Sequence, residues 1–417
     1  YKMKKSTLSS ILIPIISILL LQPVLFSQTG WFQQVSGTSV NLHSVNSHHG
    51  QENIAWTCGD NGVILHTTNG GTNWVQQVSG TTNDLYSICF MESAAAPVMA
   101  VGEGGIILRT TDFGANWITI TSPTTKTLRN ISDFGFVAVG DSGTIIKSSD
   151  FGITWAALPS PTTEQLNAVS AIFSNYIVGN NGTLLKGFSS GSNWVPAPSG
   201  TSENLIGVPL FGSTDITVGT NGLIWRSSNF GINWFAQNSN TTVKLTSVEY
   251  SVNNTSRIYI CGENGIIIKS TNSGNIFGFQ NTPTTQHLNS IFFYLSDERG
   301  YACGNNGTIL KTNNGGGAII TAINNYGEMP GEYRLEQNYP NPFNPETRIR
   351  FSVASGEMTK ISVFDVTGKE TEVLMNRFLK AGEYEVTFDG SNYASCVYYY
   401  RIISGTYSET RKMVLVK

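Results

Sequence analysis

The stretch VGEGGIILRTTDFGANW, residues 101–117, contains a pattern that the chain repeats seven times. Each copy reads G-x-x-G-x, followed by two apolar residues, a basic residue or His, and usually Ser or Thr. The copies begin 38 to 43 residues apart, at Gly59, Gly102, Gly140, Gly179, Gly219, Gly262 and Gly304. A period near 40 residues indicates one supersecondary unit that is stacked repeatedly.

Residues 85–121 show how one copy is expected to fold. LYSICF alternates apolar and polar residues and predicts an innermost strand, and PVMAVG predicts the second. IILRT predicts a third strand and WITIT an outer one, with Gly- and Asp-containing turns between them. Four antiparallel strands make one propeller blade, so the chain is predicted to be all-β, with a seven-bladed β-propeller over residues 28–317.

The first residues of the propeller predict how its ends meet. GWFQQVSGTSVNLHSV, residues 30–45, nearly duplicates NWVQQVSGTTNDLYSI, residues 73–88. Trp31 is therefore an outer-strand Trp that precedes the first complete blade, while the seventh copy lacks its own outer strand. We expect residues 31–35 to supply that fourth strand and close the ring, because a closed ring leaves no open sheet edge.

Composition narrows the function classes. Only 13% of residues are charged and the net charge is −3, so the chain has no electrostatic footprint for nucleic acid. Cys58, Cys261 and Cys303 share a repeat position that other copies fill with Val, which predicts small buried side chains rather than disulfides. No Cys/His spacing suggests a metal site, and no cofactor is predicted.

Residues 1–27 have the features of a secretory signal peptide. Lys2, Lys4 and Lys5 precede an apolar run over 11–21 that is interrupted by Pro14 and Ser17. A membrane-spanning helix needs about 18 or more unbroken apolar residues, so we predict a cleaved signal and no stable transmembrane segment.

The last part of the chain differs in composition. After a predicted linker, 318–331, residues 332–417 read as short alternating strands and predict a small Ig-like β-sandwich. Three motifs occur in order: QNYPNPFNP (337–345), VFDVTGKE (363–370) and KMVLVK (412–417). Together they resemble the type A C-terminal sorting domain of the type IX secretion system. The residues that carry this resemblance are Asn338, Pro340, Asn341, Pro342, Phe343, Lys412 and Lys417.

That resemblance implies a partner and a destination. The partner is the type IX secretion machinery, which would act on the C-terminal domain. The implied route leads through the periplasm to the outer cell surface or the medium, with removal of the tail. A fibronectin-like binding module is the alternative for these residues.

The propeller residues also resemble known families. The turn S/T-x-D/N-x-G-x-x-W is similar to the Asp-box of bacterial sialidases. The pattern over residues 30–317 resembles propellers of the photosystem II stability and assembly factor type. Such a resemblance implies the fold much more than the activity, because one fold hosts many functions.

Glycosidase chemistry is not expected from the residue pattern. A glycosidase needs a close pair of carboxylates, but Asp112 and Asp150 occupy equivalent positions in different copies. Arg109 and Arg226 likewise share a repeat position with lysines, which predicts repeat-surface residues. We therefore predict no enzyme, with a sialidase-like glycan hydrolase as the alternative and an assembly factor for an envelope complex as a further one.

One repeat position is the best candidate for binding. The residue after the innermost-strand Leu varies between copies and is expected to face the central channel; we call these seven residues the channel ring. The candidate binding residues on it are His43, Tyr86, Arg129, Asn167 and Asn289, and the two other members are Ile206 and Thr246. We predict a protein or glycan ligand of unknown identity, against the alternative of a solvated channel that binds nothing.

Overall fold

The computed structural model describes residues 30–48, 51, 53–90, 97–132, 136–171, 175–188, 191–209, 215–251, 254–293, 298–317, 319–323, 331–379 and 381–417. The predicted signal peptide, residues 1–27, lies outside these ranges. The described residues form strands joined by turns, and none of their helices has the length and apolarity that crossing a membrane requires.

Seven blades of four antiparallel strands form the propeller; six are separate sheets, and the strands of blade six are part of an eight-stranded sheet. The strands are, in chain order, β1 (Trp31–Gln34), β2 (Leu42–Ser47), β3 (Ala55–Gly59), β4 (Ile64–Thr67), β5 (Val75–Gln77), β6 (Leu85–Phe90), β7 (Val98–Gly102), β8 (Ile107–Thr110), β9 (Ile118–Ile120), β10 (Leu128–Ile131), β11 (Val137–Gly140), β12 (Ile145–Lys147), β13 (Ala156–Ala157), β14 (Leu166–Ser170), β15 (Tyr176–Gly179), β16 (Leu184–Phe188), β17 (Asn193–Pro196), β18 (Leu205–Gly207), β19 (Asp215–Gly219), β20 (Ile224–Ser227), β21 (Phe235–Gln237), β22 (Leu245–Ser251), β23 (Asn254–Gly262), β24 (Ile267–Ser270), β25 (Gly278–Gln280), β26 (Leu288–Phe293), β27 (Gly300–Gly304) and β28 (Ile309–Thr312). Blades one to six are β2–β5, β6–β9, β10–β13, β14–β17, β18–β21 and β22–β25, and blade seven is β26–β28 with β1. Short 3₁₀ turns follow the second strand at Asp60–Gly62, Glu103–Gly105, Asp141–Gly143, Thr220–Gly222 and Glu263–Gly265.

The first glycine of each copy is required by a close backbone approach. Gly140 has an extended backbone, with φ −172° and ψ −154°, which any residue can adopt. A Cβ atom at this position, however, would lie 1.9 Å from the carbonyl oxygen of Thr127. The same contact, at 1.9 to 2.4 Å, recurs at the first glycine of every copy. Glycine is therefore needed at this position because there is no room for a side chain, not because of its backbone conformation.

The innermost strand of every blade contains a β-bulge. In blade one Leu42 pairs with Gly59 and Ser44 pairs with Cys58, so that His43 has no partner across the strand pair. The same register shift occurs in the other six blades. A bulge redirects the side chain of the extra residue. The extra residue is in each case the channel-ring residue.

The predicted N-terminal strand is present on blade seven. β1 pairs antiparallel with β28, from Trp31 opposite Thr312 to Gln34 opposite Ile309. Trp31 is 5% exposed, and its Nε1–H donates to Gln280 Oε1 of blade six at 3.0 Å. Trp31 therefore occupies the place of an outer-strand Trp, as the sequence predicts.

The basic residue of the repeat joins neighbouring blades. Arg109 Nε donates to the carbonyl oxygen of Phe151 in the next blade at 3.1 Å, and Lys186 Nζ donates to that of Phe230 at 2.6 Å. Lys311 of blade seven donates to the carbonyl oxygen of Gly70 in blade one at 2.6 Å. The residues predicted to be repeat-surface positions thus form interblade hydrogen bonds, and blade seven contacts blade one as the other blades contact their neighbours.

The three repeat-position cysteines are buried and free, as predicted. Cys58, Cys261 and Cys303 each have no exposed surface and form no disulfide. Burial raises the pKa of the Cys261 thiol to about 12, and it also raises the pKa of the other two. These thiols are therefore protonated packing residues at neutral pH.

The Asp-box turns bind their own backbone. Asp112 Oδ1 accepts hydrogen bonds from Thr110 Oγ1 at 2.7 Å and from the Asn116 amide at 2.9 Å. Hydrogen bonds from Thr110 and Asn116 lower the pKa of Asp112 from its ordinary 3.8 to about 2. Hydrogen bonds from the turn, led by Thr154, lower the pKa of Asp150 to the same value. Both carboxylates are structural.

A pH dependence of stability follows from these two turns. A folded-state pKa below the unfolded one gives stability that is present above about pH 4 and is lost as the pH falls toward 2. We expect the double substitution Asp112→Asn and Asp150→Asn, which copies Asn69 and Asn229 of blades one and five, to make that loss smaller. Thermal unfolding of both proteins at intervals between pH 5 and pH 2 measures the effect. An identical fall of the melting temperature in the two proteins would contradict it.

The C-terminal domain is a β-sandwich, as predicted. Its strands are β29 (Ile320–Ile323), β30 (Arg334–Leu335), β31 (Glu346–Val353), β32 (Glu357–Phe364), β33 (Glu370–Leu379), β34 (Gly382–Asp389), β35 (Cys396–Ser404) and β36 (Tyr407–Leu415). One sheet has the order β33–β32–β35–β36, and the other continues from blade six as β25–β29–β34–β31–β30. Between the sheets lie Ile361, Val386, Tyr400 and Met413, all fully buried.

The predicted linker, 318–331, is not wholly without regular structure. Residues 320–323 form β29, which pairs with β34 over its full length. Residues 319–323, IITAI, are rich in β-branched residues, which favour strands. The sequence predicts a linker here because the composition changes directly after the glycine-rich stretch.

Candidate functional site

The inner strands of all seven blades surround one central cavity of about 520 Å³. The whole channel ring lines it, because each bulge turns its extra residue away from the interblade core. The lining ring residues are His43, Tyr86, Arg129, Asn167, Ile206, Thr246 and Asn289. The structure thus brings together every candidate binding residue that the sequence predicted.

Blades one to three contribute a continuous arc of aromatic and cationic side chains, which we call the arc: His43, Tyr86 and Arg129. The imidazole of His43 lies 5.1 Å from the Tyr86 ring, centroid to centroid. The guanidinium of Arg129 lies over the same ring, 5.4 Å from its centroid. Tyr86 is therefore held between two polar neighbours, one of them a cation–π partner.

Two carboxylates fix the ends of the arc. His43 Nε2 lies 2.5 Å from Asp60 Oδ1. Arg129 binds Asp141 with two hydrogen bonds, Nε to Oδ1 at 2.6 Å and Nη2 to Oδ2 at 3.3 Å. About a third of each partner in the second pair is solvent-exposed, so this ion pair is worth little for stability and acts mainly to orient the guanidinium.

The hydroxyl group of Tyr86 is available to a ligand. Burial raises the pKa of Tyr86, the charge of Asp84 raises it further, and Arg129 opposes both. The phenol therefore stays protonated at neutral pH and can donate a hydrogen bond. Among the residues that the structure describes, its hydroxyl has no hydrogen-bond partner.

The other ring residues mainly hold blades together. Asn167 Nδ2 donates to the carbonyl oxygen of Leu205 in the next blade at 2.7 Å, and Thr246 Oγ1 donates to that of Leu288 at 2.6 Å. Asn289 Nδ2 donates to the carbonyl oxygen of Leu42 in blade one at 2.9 Å. Their donor groups are therefore engaged, so Asn167 and Asn289 are weaker binding candidates than the sequence implied.

Sequence reasoning missed the residues that position the ring. The residue after the first glycine of a copy contacts the ring residue of its own blade: Asp60 contacts His43, and Asp141 contacts Arg129. Asn180 Oδ1 and Asn305 Oδ1 play the same part in blades four and seven, each accepting a hydrogen bond at 3.0 Å. Every copy has a polar residue at this position, which is visible in the sequence. The contact itself depends on the bulge, which the sequence does not reveal.

In the described parts of the chain there is no group of three His, Cys, Asp or Glu side chains that could hold a metal ion. The carboxylates nearest to the arc, Asp60 and Asp141, accept hydrogen bonds from ring residues of their own blades.

The sorting-motif residues form one structural cluster in the C-terminal domain. The Asn338 amide donates to Tyr400 Oη at 2.8 Å, and Asn338 Nδ2 donates to Thr347 Oγ1 at 2.9 Å and to Pro340 O at 3.1 Å. Phe343 is 2% exposed and packs edge-on against Phe388. The first motif is thus built into the sandwich core.

The first and last motifs lie side by side. The Val414 amide donates to Asn341 Oδ1 at 3.0 Å, and the Phe343 amide donates to Val414 O at 2.9 Å. Gln337 Nε2 donates to the carbonyl oxygen of Lys412 at 2.8 Å, while Lys417 Nζ donates to that of Ser391 at 2.6 Å. Motifs about 70 residues apart in sequence therefore make one local structure.

Comparisons with known proteins agree with both halves of this architecture. Residues 25–313 match the family described as photosynthesis system II assembly factor YCF48, and residues 337–417 match the secretion system C-terminal sorting domain. We found no match among curated protein sequences.

Solved structures support the propeller fold. YCF48 from Cyanidioschyzon merolae is 19% identical with a TM-score of 0.57, covering 68% of this chain and 98% of its own. A structure described as YCF48 bound to D1 peptide is also 19% identical, with a TM-score of 0.58 over 70% of this chain and 99% of its own. The GH74 xyloglucanase from Xanthomonas campestris is 12% identical, with a TM-score of 0.53 over 69% of this chain and 54% of its own.

At these identities the structures show the fold alone. The family match, by contrast, spans more than half of the chain, and the sorting domain indicates export by type IX secretion to the cell surface or beyond. The chain belongs to the YCF48-type photosynthesis system II assembly factor family and carries a secretion-system sorting domain at its C-terminal end.

Proposed function

We propose that the propeller is a non-catalytic binding module or scaffold, delivered to the outer cell surface or the medium, which captures a protein segment at the arc. The observation that carries this proposal is the Tyr86 side chain. It lies between His43 and Arg129 in an open cavity, and its hydroxyl has no partner within the described residues.

The chemistry of the arc suits a peptide. Tyr and Arg are over-represented among residues that dominate protein interfaces, because they combine a large contact surface with hydrogen bonding. The Tyr86 hydroxyl can donate to a backbone carbonyl group, and its ring can pack against an aliphatic or aromatic side chain. Asp60 and Asp141 hold the flanking side chains in place beforehand, which reduces the entropy lost on binding.

A relative supports a peptide rather than a glycan as the ligand. The solved structure described as YCF48 bound to D1 peptide contains a propeller of this family with a peptide ligand. We extend that ligand class, but not that particular peptide, to this chain. A glycan ligand and a role in assembling an envelope complex are the alternatives, and they are outcomes of the same test.

Affinity capture from the surface and extracellular fraction tests the proposal, with residues 28–417 as bait. We expect the double variant Tyr86→Ala and Arg129→Ala to weaken capture of the partner by at least about tenfold, because two interface anchors are lost. Phe230→Ala is the control, since Phe230 is 83% exposed and lies outside the cavity lining.

The outcomes are distinct. Equal capture by wild type and the double variant would move the site away from the arc. Binding on a glycan array that the double variant loses would replace the peptide with a glycan, and turnover of that glycan would favour the hydrolase alternative.

A further inference from the structure

The outer strand of blade six differs from those of the other blades. Its central residue, Phe279, is 6% exposed, and all three residues of β25 are buried. The equivalent residues of the other blades are polar or small and exposed to solvent: Gln76, Thr119, Ala157, Pro196, Ala236 and Gln33. Among these blades, blade six is thus unusual in having a large apolar residue at the central position of its outer strand.

A segment of this same chain covers that edge. β29 pairs antiparallel with β25 at Phe279 and Ile320, and its other side pairs with β34 of the sorting domain. The sheet of blade six therefore continues without a break into the sandwich. β29 lies between the two family matches, which end at residue 313 and begin at residue 337.

Side-chain packing supports this continuity. Phe277 and Phe279 belong to the same buried apolar cluster as Phe351 and Val386 of the sorting domain. Next to this contact, Trp31 and Asn281 of the propeller and Leu374 of the sorting domain line one narrow cleft of about 40 Å³.

We propose that the outer edge of blade six is a docking site for the chain's own C-terminal sorting domain, with Ile320–Ile323 as the strand that joins them. Open strand edges usually avoid large apolar side chains, and the central residue of the outer strand is polar or small in the other six blades. Phe279 differs from these residues, and it lies where β29 covers the outer strand in the described structure. The propeller thereby holds its export domain in a fixed position, rather than trailing it on a flexible tether.

A cysteine pair tests the docking in residues 28–417, the chain that still carries the sorting domain. Phe279→Cys and Ile320→Cys, made in a Cys396→Ser background, place two thiols at directly opposed backbone positions. The remaining native cysteines are buried. We expect oxidation with diamide to join the two residues, shown by a disulfide-linked peptide pair in mass spectrometry. Ala236→Cys with Ile320→Cys is the matched control on blade five and should not cross-link.

A second variant tests the role of the Phe279 side chain. Phe279→Thr gives blade six the residue that blade two has at Thr119, and we expect amide hydrogen exchange at 320–323 to accelerate at least tenfold. Phe279→Leu should retain the protection, and Ala236→Thr should not alter it. Protection of the inner strands reports in each case that the propeller is folded.

Two results would overturn the proposal. One is equal cross-linking of the blade-six and blade-five cysteine pairs, which a mobile tether would give. The other is unchanged exchange at 320–323 in Phe279→Thr, which would show that these amides are protected without the blade-six edge.

Discussion

Replacing Trp31 by Ala is expected to lower the free energy of unfolding by about 3 to 5 kcal/mol, the range for removing a large buried aromatic side chain. Trp31 is 5% exposed, packs edge-on against Phe293 of blade seven, and donates a hydrogen bond to Gln280 of blade six. The substitution therefore weakens the one blade that is built from both ends of the propeller sequence.

Chemical denaturation of residues 28–417 measures this effect, with Val35→Ala as the control. Val35 is 84% exposed and lies directly after β1, so its truncation should change the unfolding free energy by less than about 0.5 kcal/mol. Equal stability of Trp31→Ala and wild type would contradict a stabilising role for the N-terminal strand.

The second large effect is expected at the first glycine of a repeat. Gly140→Ala places a Cβ atom 1.9 Å from the backbone oxygen of Thr127, and a backbone atom cannot rotate away as a side chain can. We expect a loss of about 3 kcal/mol, at the upper end for an overpacked core position. The Thr127 carbonyl also accepts a hydrogen bond from the Asp141 amide, which the displacement would strain.

Gly331→Ala is the matched control, because no atom lies within 4 Å of the added Cβ there. Thermal and chemical unfolding of the two variants separate the close approach from a general cost of replacing glycine. Equal stability of the Gly140→Ala and Gly331→Ala proteins would contradict the conclusion that position 140 has no room for a Cβ atom. Loss of the Asp141 hydrogen bond should also loosen Arg129, whose guanidinium Asp141 orients.

The fold could be predicted because it depends on local patterns that repeat. A period near 40 residues, alternating strands and Gly-Asx turns set the number and order of the blades. The near-duplicate of 73–88 at 30–45 was enough to place Trp31 on blade seven. The strand at 320–323 escaped prediction because it pairs with residues of both domains and carries no repeat signal.

The site could be predicted only in outline. Alternation places Tyr86 and Asn289 opposite the core Leu residues, and both do line the cavity. Alternation cannot show that Asn289 donates to Leu42 across the junction of blades seven and one, whereas the Tyr86 hydroxyl has no partner among the described residues. That difference depends on the positions of neighbouring blades, which one repeat does not encode.

Site-specific photo-crosslinking shows whether a partner contacts the arc. p-Azidophenylalanine at position 86 of the mature chain, a close analogue of Tyr86, should yield an adduct with one partner upon illumination of the surface fraction. The same residue at position 230, which is exposed and outside the cavity lining, should give none, and Arg129→Ala should abolish the adduct at 86. An adduct at 230 without one at 86, or an adduct at 86 that Arg129→Ala leaves unchanged, would show that the partner does not bind at the arc.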